Sequence, residues 1–292
     1  MTLWQNYLLP ETVEDAVQLL TAAPAPTRLV AGGTDLLLDL QQGRHAPVAT
    51  LIDITRIAEM CALEIRDRHL FVGAARPLNQ VVADPLVAWH VQALQEAAGL
   101  IGGPQVRNTA TLGGNVAHAL PAADGAIALL ALDALAEVAG PSGRRFTLLD
   151  ELYLGPGRSV LAEQGELLVG FHLPLRLPGQ ASAFRRVMRP QGVAIAILNT
   201  AVWLERRGDV LADVRLAVGP AGPRPFRLGQ VEAALRGRAL SPAVLDEARQ
   251  ALLGEARFRT SPHRATAEYR RHLSGVLLEE TLTTAWERSF NR

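Results

Sequence analysis

The sequence predicts an α+β protein of two domains, and three observations lead to this prediction. The first part of the chain alternates helical and strand patterns, as in a small α/β unit. The last part places strands before amphipathic helices, which is typical of a separate α+β domain. Between them lies a run that resembles a domain junction, PLRLPG at residues 174–179. We therefore expect domains over residues 1–175 and 176–292, a division that suits a chain of 292 residues.

The expected elements of the first domain follow from hydrophobic periodicity and turn residues. Thr12, with Asp15 three residues later, indicates the start of a helix that ends at Pro24 and Pro26. Alternating apolar and polar residues around a polar turn predict a hairpin over residues 63–74. The alanine-rich run at 122–138 predicts a core helix. The remaining expected elements are strands at 28–31, 49–54, 144–148 and 166–173, and helices at 77–83 and 86–98.

The expected elements of the second domain are two strands and three helices. Strands are predicted at residues 193–205 and 214–219, and helices at 230–235, 242–255 and 262–286. Ser261 followed by Pro262 is a typical helix start, because serine caps the first turn and proline tolerates the first helical position.

Composition excludes several classes of function. The formal net charge is zero, so no basic surface indicates nucleic-acid binding, and no apolar run is long enough for membrane insertion. The N-terminus has no secretory signal, so we expect a cytoplasmic protein. Cys61 is the only cysteine, which excludes an internal disulfide and an all-cysteine iron–sulfur cluster or zinc site built from this chain alone. The histidines lack paired metal-ligand spacing such as HExxH, so no metal is assigned.

Two glycine-rich turns are the main functional signal. They are LVAGGTDL at residues 29–36 and TLGGN at residues 111–115. A glycine pair lets consecutive backbone N–H groups point the same way and bind a phosphate. Gly-Gly pairs also occur in ordinary tight turns, and neither turn has the GxGxxG spacing of a nicotinamide site. The residues alone therefore predict two candidate phosphate-binding turns in an α/β domain.

Several polar residues near the turns have more than one interpretation. Asp124 can accept a hydrogen bond from a sugar or ribityl hydroxyl. His118 either approaches a ligand or bonds the backbone, and Asp35 either contacts a ligand or caps the following segment. Arg107 and Asn108 either contact a cofactor or rigidify their loop, and Asp133 is expected to be paired or at an interface.

Motifs along most of the chain resemble one family. A-G-G-T-D-L at residues 31–36 and Q-V-R-N-x-A-T-L-G-G-N-x-A-x-x-x-P-A-x-D at residues 105–124 closely resemble the FAD-binding medium subunit of molybdenum hydroxylases, in the carbon monoxide dehydrogenase and xanthine dehydrogenase family. The segments YLGPGRSVL at 153–161 and AEYRR at 267–271 are similar to later family motifs. The run at 189–194 departs from the family pattern R-x-G-D-x-A, so we assign it no contact with the flavin ring.

This resemblance implies a fold, a cofactor and a set of site residues. The fold would be a two-lobed FAD-binding domain of the vanillyl-alcohol-oxidase (PCMH) type, followed by a smaller α+β domain with an antiparallel sheet and helices. No catalytic residue is implied. The FAD-binding residues carried over by motif are Leu29, Val30, Ala31, Gly32, Gly33, Thr34, Asp35, Leu36, Ile101, Gly102, Thr111, Leu112, Gly113, Gly114, Asn115, His118, Asp124, Leu168 and Arg185.

The resemblance also implies an electron-transfer role within a complex. A large molybdenum-pterin subunit would oxidise the substrate, and a small subunit with two-iron two-sulfur clusters would pass electrons to FAD. FAD would then reduce NAD, a quinone or oxygen, since a flavin accepts electrons singly or in pairs. Two alternatives are a stand-alone FAD-dependent oxidase or reductase, and a scaffold subunit without flavin.

Overall fold

The computed structural model describes residues 2–189 and 195–290. The strands are β1 Trp4–Leu8, β2 Thr27–Val30, β3 Val48–Asp53, β4 Leu63–Arg66, β5 His69–Gly73, β6 Leu135–Gly140, β7 Gly143–Leu148, β8 Tyr153–Gly155, β9 Arg158–Ser159, β10 Leu167–Pro174, β11 Gln180–Val187, β12 Leu198–Arg207 and β13 Val210–Gly219. The helices are α1 Val13–Ala22, α2 Leu36–Gln41, α3 Leu78–Ala83, α4 Pro85–His90, α5 Gln92–Leu100, α6 Pro104–Arg107, α7 Leu112–Ala117, α8 Asp124–Ala131, α9 Val160–Gln164, α10 Gly229–Leu235, α11 Pro242–Glu255 and α12 Ala267–Arg288.

A small parallel sheet forms the first lobe. Its order is β1-β3-β2, with both outer strands parallel to β3. Parallel strands need crossover connections: α1 connects β1 to β2 on the two sides of β3, and α2 connects the neighbours β2 and β3. Thr12 caps α1 as the sequence predicts, because its side chain accepts a hydrogen bond from the Asp15 N–H at 3.1 Å. Val30, Leu40, Val48 and Leu51 form the small core of this lobe.

A five-stranded antiparallel sheet forms the second lobe. Its order is β4-β5-β10-β6-β7, so β10 lies at the centre between β5 and β6. Phe71 and Phe171 are fully buried in its core. Every residue of α8 is buried, since this helix packs against α5 and also against β12 and β13. Such enclosure on all sides explains why α8 has no polar face.

The C-terminal part combines an antiparallel sheet with three helices. The sheet has the order β11-β12-β13, and α12 packs on β11 and β12. The helices α5 and α8 of the first domain contact the same strands. This sheet is therefore covered on both faces, which accounts for the nearly continuous burial of the first seven residues of β12.

Ion pairs join the two parts of the chain. Asp133 contacts Arg227 at 2.8 Å and Arg215 at 3.7 Å, so the expectation that it is paired is confirmed. Glu96 of α5 accepts hydrogen bonds from the Phe184 N–H and the Arg288 guanidinium. Acids of the first domain thus meet arginines of the second.

The apolar run at residues 122–138 does not form one helix. Helix α8 ends at Ala131, and β6 begins at Leu135. Asp133 has a φ of 57°, a left-handed conformation that aspartate tolerates better than most residues. The sequence could not show this break, because a segment buried on every side has no periodicity that distinguishes helix from strand.

Other element boundaries also differ from the expectations. The helix predicted at 86–98 is divided into α4 and α5 at Val91, and β11 was not predicted at all. The strand predicted from residue 193 begins at Leu198, and residues 190–194 lie outside the described part of the chain. The helix predicted from residue 262 begins at Ala267. Residues 261–265 form a turn instead, closed by a bond from the Ser261 N–H to the Ala265 carbonyl.

Thr266, not Ser261, should therefore contribute cap energy to α12. The Thr266 hydroxyl accepts from the Tyr269 N–H at 3.1 Å. We expect Thr266→Ala to lower the free energy of unfolding by about 1 kcal/mol, and Ser261→Ala to change it by less than about 0.5 kcal/mol. Urea denaturation of both variants measures this difference. An equal loss in the two variants would contradict the observed helix start.

Candidate functional site

The first glycine-rich turn connects β2 to α2 and leaves its backbone donors free. Gly33 has a φ of 66°, which favours glycine. The Leu37 N–H bonds the Gly33 carbonyl, but within the described residues no N–H of positions 32–35 donates to a protein atom. Consecutive free N–H groups beside a left-handed residue form an anion-binding nest. The geometry of this turn thus suits a phosphate or diphosphate.

The second glycine-rich turn uses its backbone donors within the protein. Thr111 caps α7 by accepting from the Gly114 N–H at 3.0 Å, and the Gly113 N–H donates to the Ala74 carbonyl at 2.9 Å. A Cβ on Gly113 would lie 2.5 Å from the Cβ of Ala74. This glycine is therefore required by packing on β5. The expectation of two N–H nests holds for the first turn only.

The two turns meet. A Cβ on Gly32 would lie 2.1 Å from the carbonyl oxygen of Thr109, so the first turn packs directly on the backbone that leads into α7. Asp35 and His118 join the turns a second time, with 3.4 Å between Oδ2 and Nδ1. The hydrogen bond between them lowers the pKa of Asp35 and raises the pKa of His118. Asp35 makes no cap hydrogen bond to α2 and is paired with His118 instead.

A group of buried polar atoms lies beside the second turn. Asn115 Oδ1 is buried without a hydrogen-bond partner in the described protein, and a Cβ on Gly125 would come within 2.7 Å of it. Asp124 is 5% exposed and pairs through Oδ2 with Arg186, while Asn199 Nδ2 donates to Oδ1 at 2.6 Å. Burial raises the pKa of Asp124, and Arg186 and Asn199 oppose that rise.

The loop that holds Ile101 and Gly102 is rigid by its own contacts. Gly102 has a φ of 58°, and a Cβ there would meet Val106 at 2.6 Å. Arg107 donates to the carbonyls of Ile101 and Gly102 at 3.2 and 2.7 Å. Asn108 accepts a hydrogen bond from Asn79 at 2.9 Å. The structure thus favours the second interpretation of Arg107 and Asn108, in which they rigidify the loop.

Only some of the residues that the sequence predicts for the site lie together in the structure. The turn residues are together, and half-buried positions among them include Leu29, Ala31, Thr34 and Leu36. Val30 and Leu112 are buried beneath the turns. Leu168 is enclosed in the core of the second lobe opposite Val138. Arg185 contacts Glu96 of α5 and Thr284 of α12.

Arg186 and Asn199 are the residues that the sequence interpretation missed. Successive side chains of a strand point to opposite faces, so Arg186 reaches Asp124 while Arg185 lies against α12. The period of two in SAFRRV was the available signal for choosing between the arginines. Asn199 is a fully buried amide in the apolar strand β12, and a buried polar residue in such a strand needs a partner.

The arrangement suits binding of a dinucleotide more than acid–base chemistry. It offers free N–H groups for a diphosphate and an unpartnered amide oxygen at Asn115, which can accept a hydrogen bond from a hydroxyl or an N–H. No group of three histidine, cysteine or carboxylate side chains that could hold a metal occurs in the described residues. Within residues 2–189 and 195–290, no helix has the length and apolar character needed to span a bilayer.

Comparison with known proteins agrees with this geometry. The family described as the FAD binding domain in molybdopterin dehydrogenase matches residues 3–176, and the carbon monoxide dehydrogenase flavoprotein C-terminal domain matches residues 182–285. A xanthine dehydrogenase FAD-binding subunit of Escherichia coli is 31% identical over 96% of this chain and 95% of its own length. The nicotine 6-hydroxylase medium subunit of Paenarthrobacter nicotinovorans is 32% identical over 97% and 98%.

The fold is also similar to a solved structure. Carbon monoxide dehydrogenase from Hydrogenophaga pseudoflava contains a chain that superposes with a TM-score of 0.91 at 30% identity, covering 97% of this chain and 98% of that one. The two-lobed domain and the smaller C-terminal α+β domain implied by the sequence motifs are thereby confirmed. This chain belongs to the family of FAD-binding subunits of molybdopterin-dependent dehydrogenases, as an FAD-containing oxidoreductase component.

Proposed function

We propose that the first turn binds the diphosphate of FAD and that the second turn supplies neighbouring side-chain contacts. The free N–H groups of residues 32–35 carry this proposal, because a row of unpaired donors beside a left-handed glycine suits an anion. The proposed site comprises residues 29–36, 101–102 and 111–115 with His118, Asp124, Leu168 and Arg185. The proposed domain boundary lies between residues 175 and 176.

The proposed role of the bound cofactor is electron transfer in a molybdenum hydroxylase. FAD supplies a redox centre that exchanges electrons one or two at a time. The contacts between Gly32 and Thr109 and between Asp35 and His118 hold the two turns in register for the cofactor. The loop that Arg107 and Gly102 stiffen holds Ile101 in place, and Ile101 would contact the flavin. Binding and orientation, not acid–base catalysis, are the tasks of this chain.

The proposed partners are a large molybdenum-pterin subunit and a small subunit with two-iron two-sulfur clusters. Relatives that match over nearly their full length are named medium chains or FAD-binding subunits, which supports a multisubunit assembly. Cys61 is the sole cysteine, so the clusters must belong to another chain. The proposed acceptor is NAD, a quinone or oxygen, and the cytoplasmic location stays a prediction.

Two other functions predict a different content of flavin, molybdenum and iron in the purified protein. A stand-alone FAD-dependent oxidase or reductase retains flavin without molybdenum or iron, and a scaffold subunit retains none of the three. Purification of the tagged chain from its native cells therefore distinguishes them, with flavin and metals measured per chain. We expect FAD, molybdenum and iron together. Flavin without molybdenum or iron would support the stand-alone enzyme, and a chain purified with none of the three would support the scaffold.

Substitution of Gly33 tests the binding turn. Gly33→Ala places a Cβ on a residue with a φ of 66° and 2.9 Å from the Leu37 side chain. Because this distorts the turn, we expect the Kd for FAD to rise about tenfold, or about 1.4 kcal/mol. Flavin fluorescence titration measures the affinity.

Gly43→Ala is the matched control for this measurement. Gly43 has a φ of 69°, but a Cβ there meets nothing within 4 Å. The substitution Gly43→Ala imposes a similar backbone strain, but outside the first glycine-rich turn, so the affinity for FAD should be unchanged. Equal weakening by both alanines would show that general strain, and not the nest, sets the affinity.

The Asp35–His118 pair predicts a pH dependence of FAD binding. The raised pKa of His118 means that the pair is intact below its ordinary value of 6.5 and is lost as pH rises through the raised value. Asp35 stays ionised in this window because its pKa is lowered. For a partly exposed pair worth about 0.5–1 kcal/mol, FAD affinity should fall about two- to fivefold with rising pH.

The matched variants for this pH series are His118→Gln and His45→Gln. His118→Gln should flatten the profile, because its amide does not titrate. His45 lies 3.8 Å from Asp39, outside the two turns, so its variant should keep the wild-type profile. A profile that is unchanged in His118→Gln would assign the pH dependence to another group.

A further inference from the structure

The segment that precedes α12 forms a tight turn over residues 261–265, at the N-terminal end of that helix. The Ser261 N–H bonds the Ala265 carbonyl at 2.9 Å, and the Arg264 N–H bonds the Ser261 carbonyl at 3.0 Å. Thr260 Oγ1 accepts from the Ala267 N–H at 3.1 Å. These bonds bring residues 259–260 next to the start of α12. Residues from both ends of the turn therefore lie close to the N-terminal end of α12.

Arg270, in the first turns of α12, is a buried cation with unused donors. The residue is 1% exposed, and its Nε and Nη1 are buried without a hydrogen-bond partner in the described protein. A guanidinium removed from water without an acceptor is costly, so such groups normally have carboxylates or carbonyls beside them. The protein as described supplies neither.

The charged neighbours of Arg270 are themselves positive, so they repel its charge instead of balancing it. Burial lowers the pKa of Arg270, and the charges of Arg264 and Arg259 lower it further. Burial and the charge of Arg259 likewise lower the pKa of Arg264. None of these three side chains forms an ion pair with a described residue. Between positions 257 and 272 the sequence has five arginines and one carboxylate, Glu268.

Several arginines elsewhere in the chain are neutralised by acids. Arg144 contacts Glu14, Glu59 and Glu137, and Arg227 contacts Glu232 and Asp133. The contrast shows that the cluster of Arg259, Arg264 and Arg270 lacks a counter-charge. An anion from outside the chain would provide one.

We propose that Arg259, Arg264 and Arg270 form a binding site for a compact divalent oxyanion of the phosphate class. The planar fork of a guanidinium matches a phosphate with paired hydrogen bonds, and three such groups favour a doubly charged ligand over chloride. The site lies at the start of α12 and in the segment before it, apart from the glycine-rich turns, and does not depend on FAD binding. Its ligand is either free phosphate or the phosphoryl end of a small metabolite.

Thermal unfolding of the full chain in inorganic phosphate tests the site. At about ten times Kd, phosphate should raise Tm by about 2–3 °C above a chloride buffer of equal ionic strength. Arg259→Gln/Arg264→Gln should raise Tm in chloride, because it removes two charges that repel Arg270, and should abolish the increment due to phosphate. A higher Tm in chloride together with the loss of the phosphate increment shows that the variant is folded and has lost only the anion site.

Arg56→Gln/Arg68→Gln is the matched control. It removes two arginines from exposed positions elsewhere, so the phosphate increment should persist. This control accounts for the general stabilising action of phosphate on proteins. A second series with glycerol 3-phosphate identifies the ligand: an equal increment indicates a phosphoryl group on a metabolite, and none indicates the free ion. No increment from inorganic phosphate, or an equal one in Arg259→Gln/Arg264→Gln, would overturn the proposal.

Discussion

The contact between Gly32 and the backbone at Thr109 is the constraint on which the candidate site depends. With 2.1 Å between a hypothetical Cβ and the Thr109 carbonyl oxygen, only glycine allows this approach. It joins the parallel-sheet lobe to the start of α7, so that the free N–H groups of the first turn lie beside Thr111 and His118. The relative position of the two turns is therefore fixed by a backbone contact that exists without a ligand.

The two glycine pairs have different physical purposes although they look alike in sequence. Gly33 is needed for its left-handed conformation, which frees donors for a ligand. Gly113 is needed for space, because Ala74 occupies the position of its Cβ. Sequence alone predicted both turns as candidate phosphate-binding sites, with an ordinary tight turn as the alternative. It could not assign one purpose to each, because close approach depends on a strand forty residues away.

Local signals were predictable, and signals that depend on burial were not. The Thr12 cap and the limits of α11 follow from short-range hydrogen bonds and turn residues. Residues 132–138 were predicted wrongly as helix, because the choice between helix and strand there depends on pairing with β7 and β10. Likewise, Ser261 is as good a cap residue as Thr266, and the turn at 261–265 decides between them.

The buried pair of Asp124 and Arg186 joins the candidate cofactor site to the C-terminal sheet. A carboxylate at this depth keeps its charge only with its partners, and both oxygens already accept hydrogen bonds. Only the remaining lone pairs of Asp124 are available to a further donor, so the contact with the cofactor proposed for Asp124 is compatible with its pairing to Arg186. Because Arg186 and Asn199 belong to β11 and β12, the position of Asp124 depends on strands outside the FAD-binding domain. The C-terminal domain thus takes part in shaping the site even though the glycine-rich turns belong to the first domain.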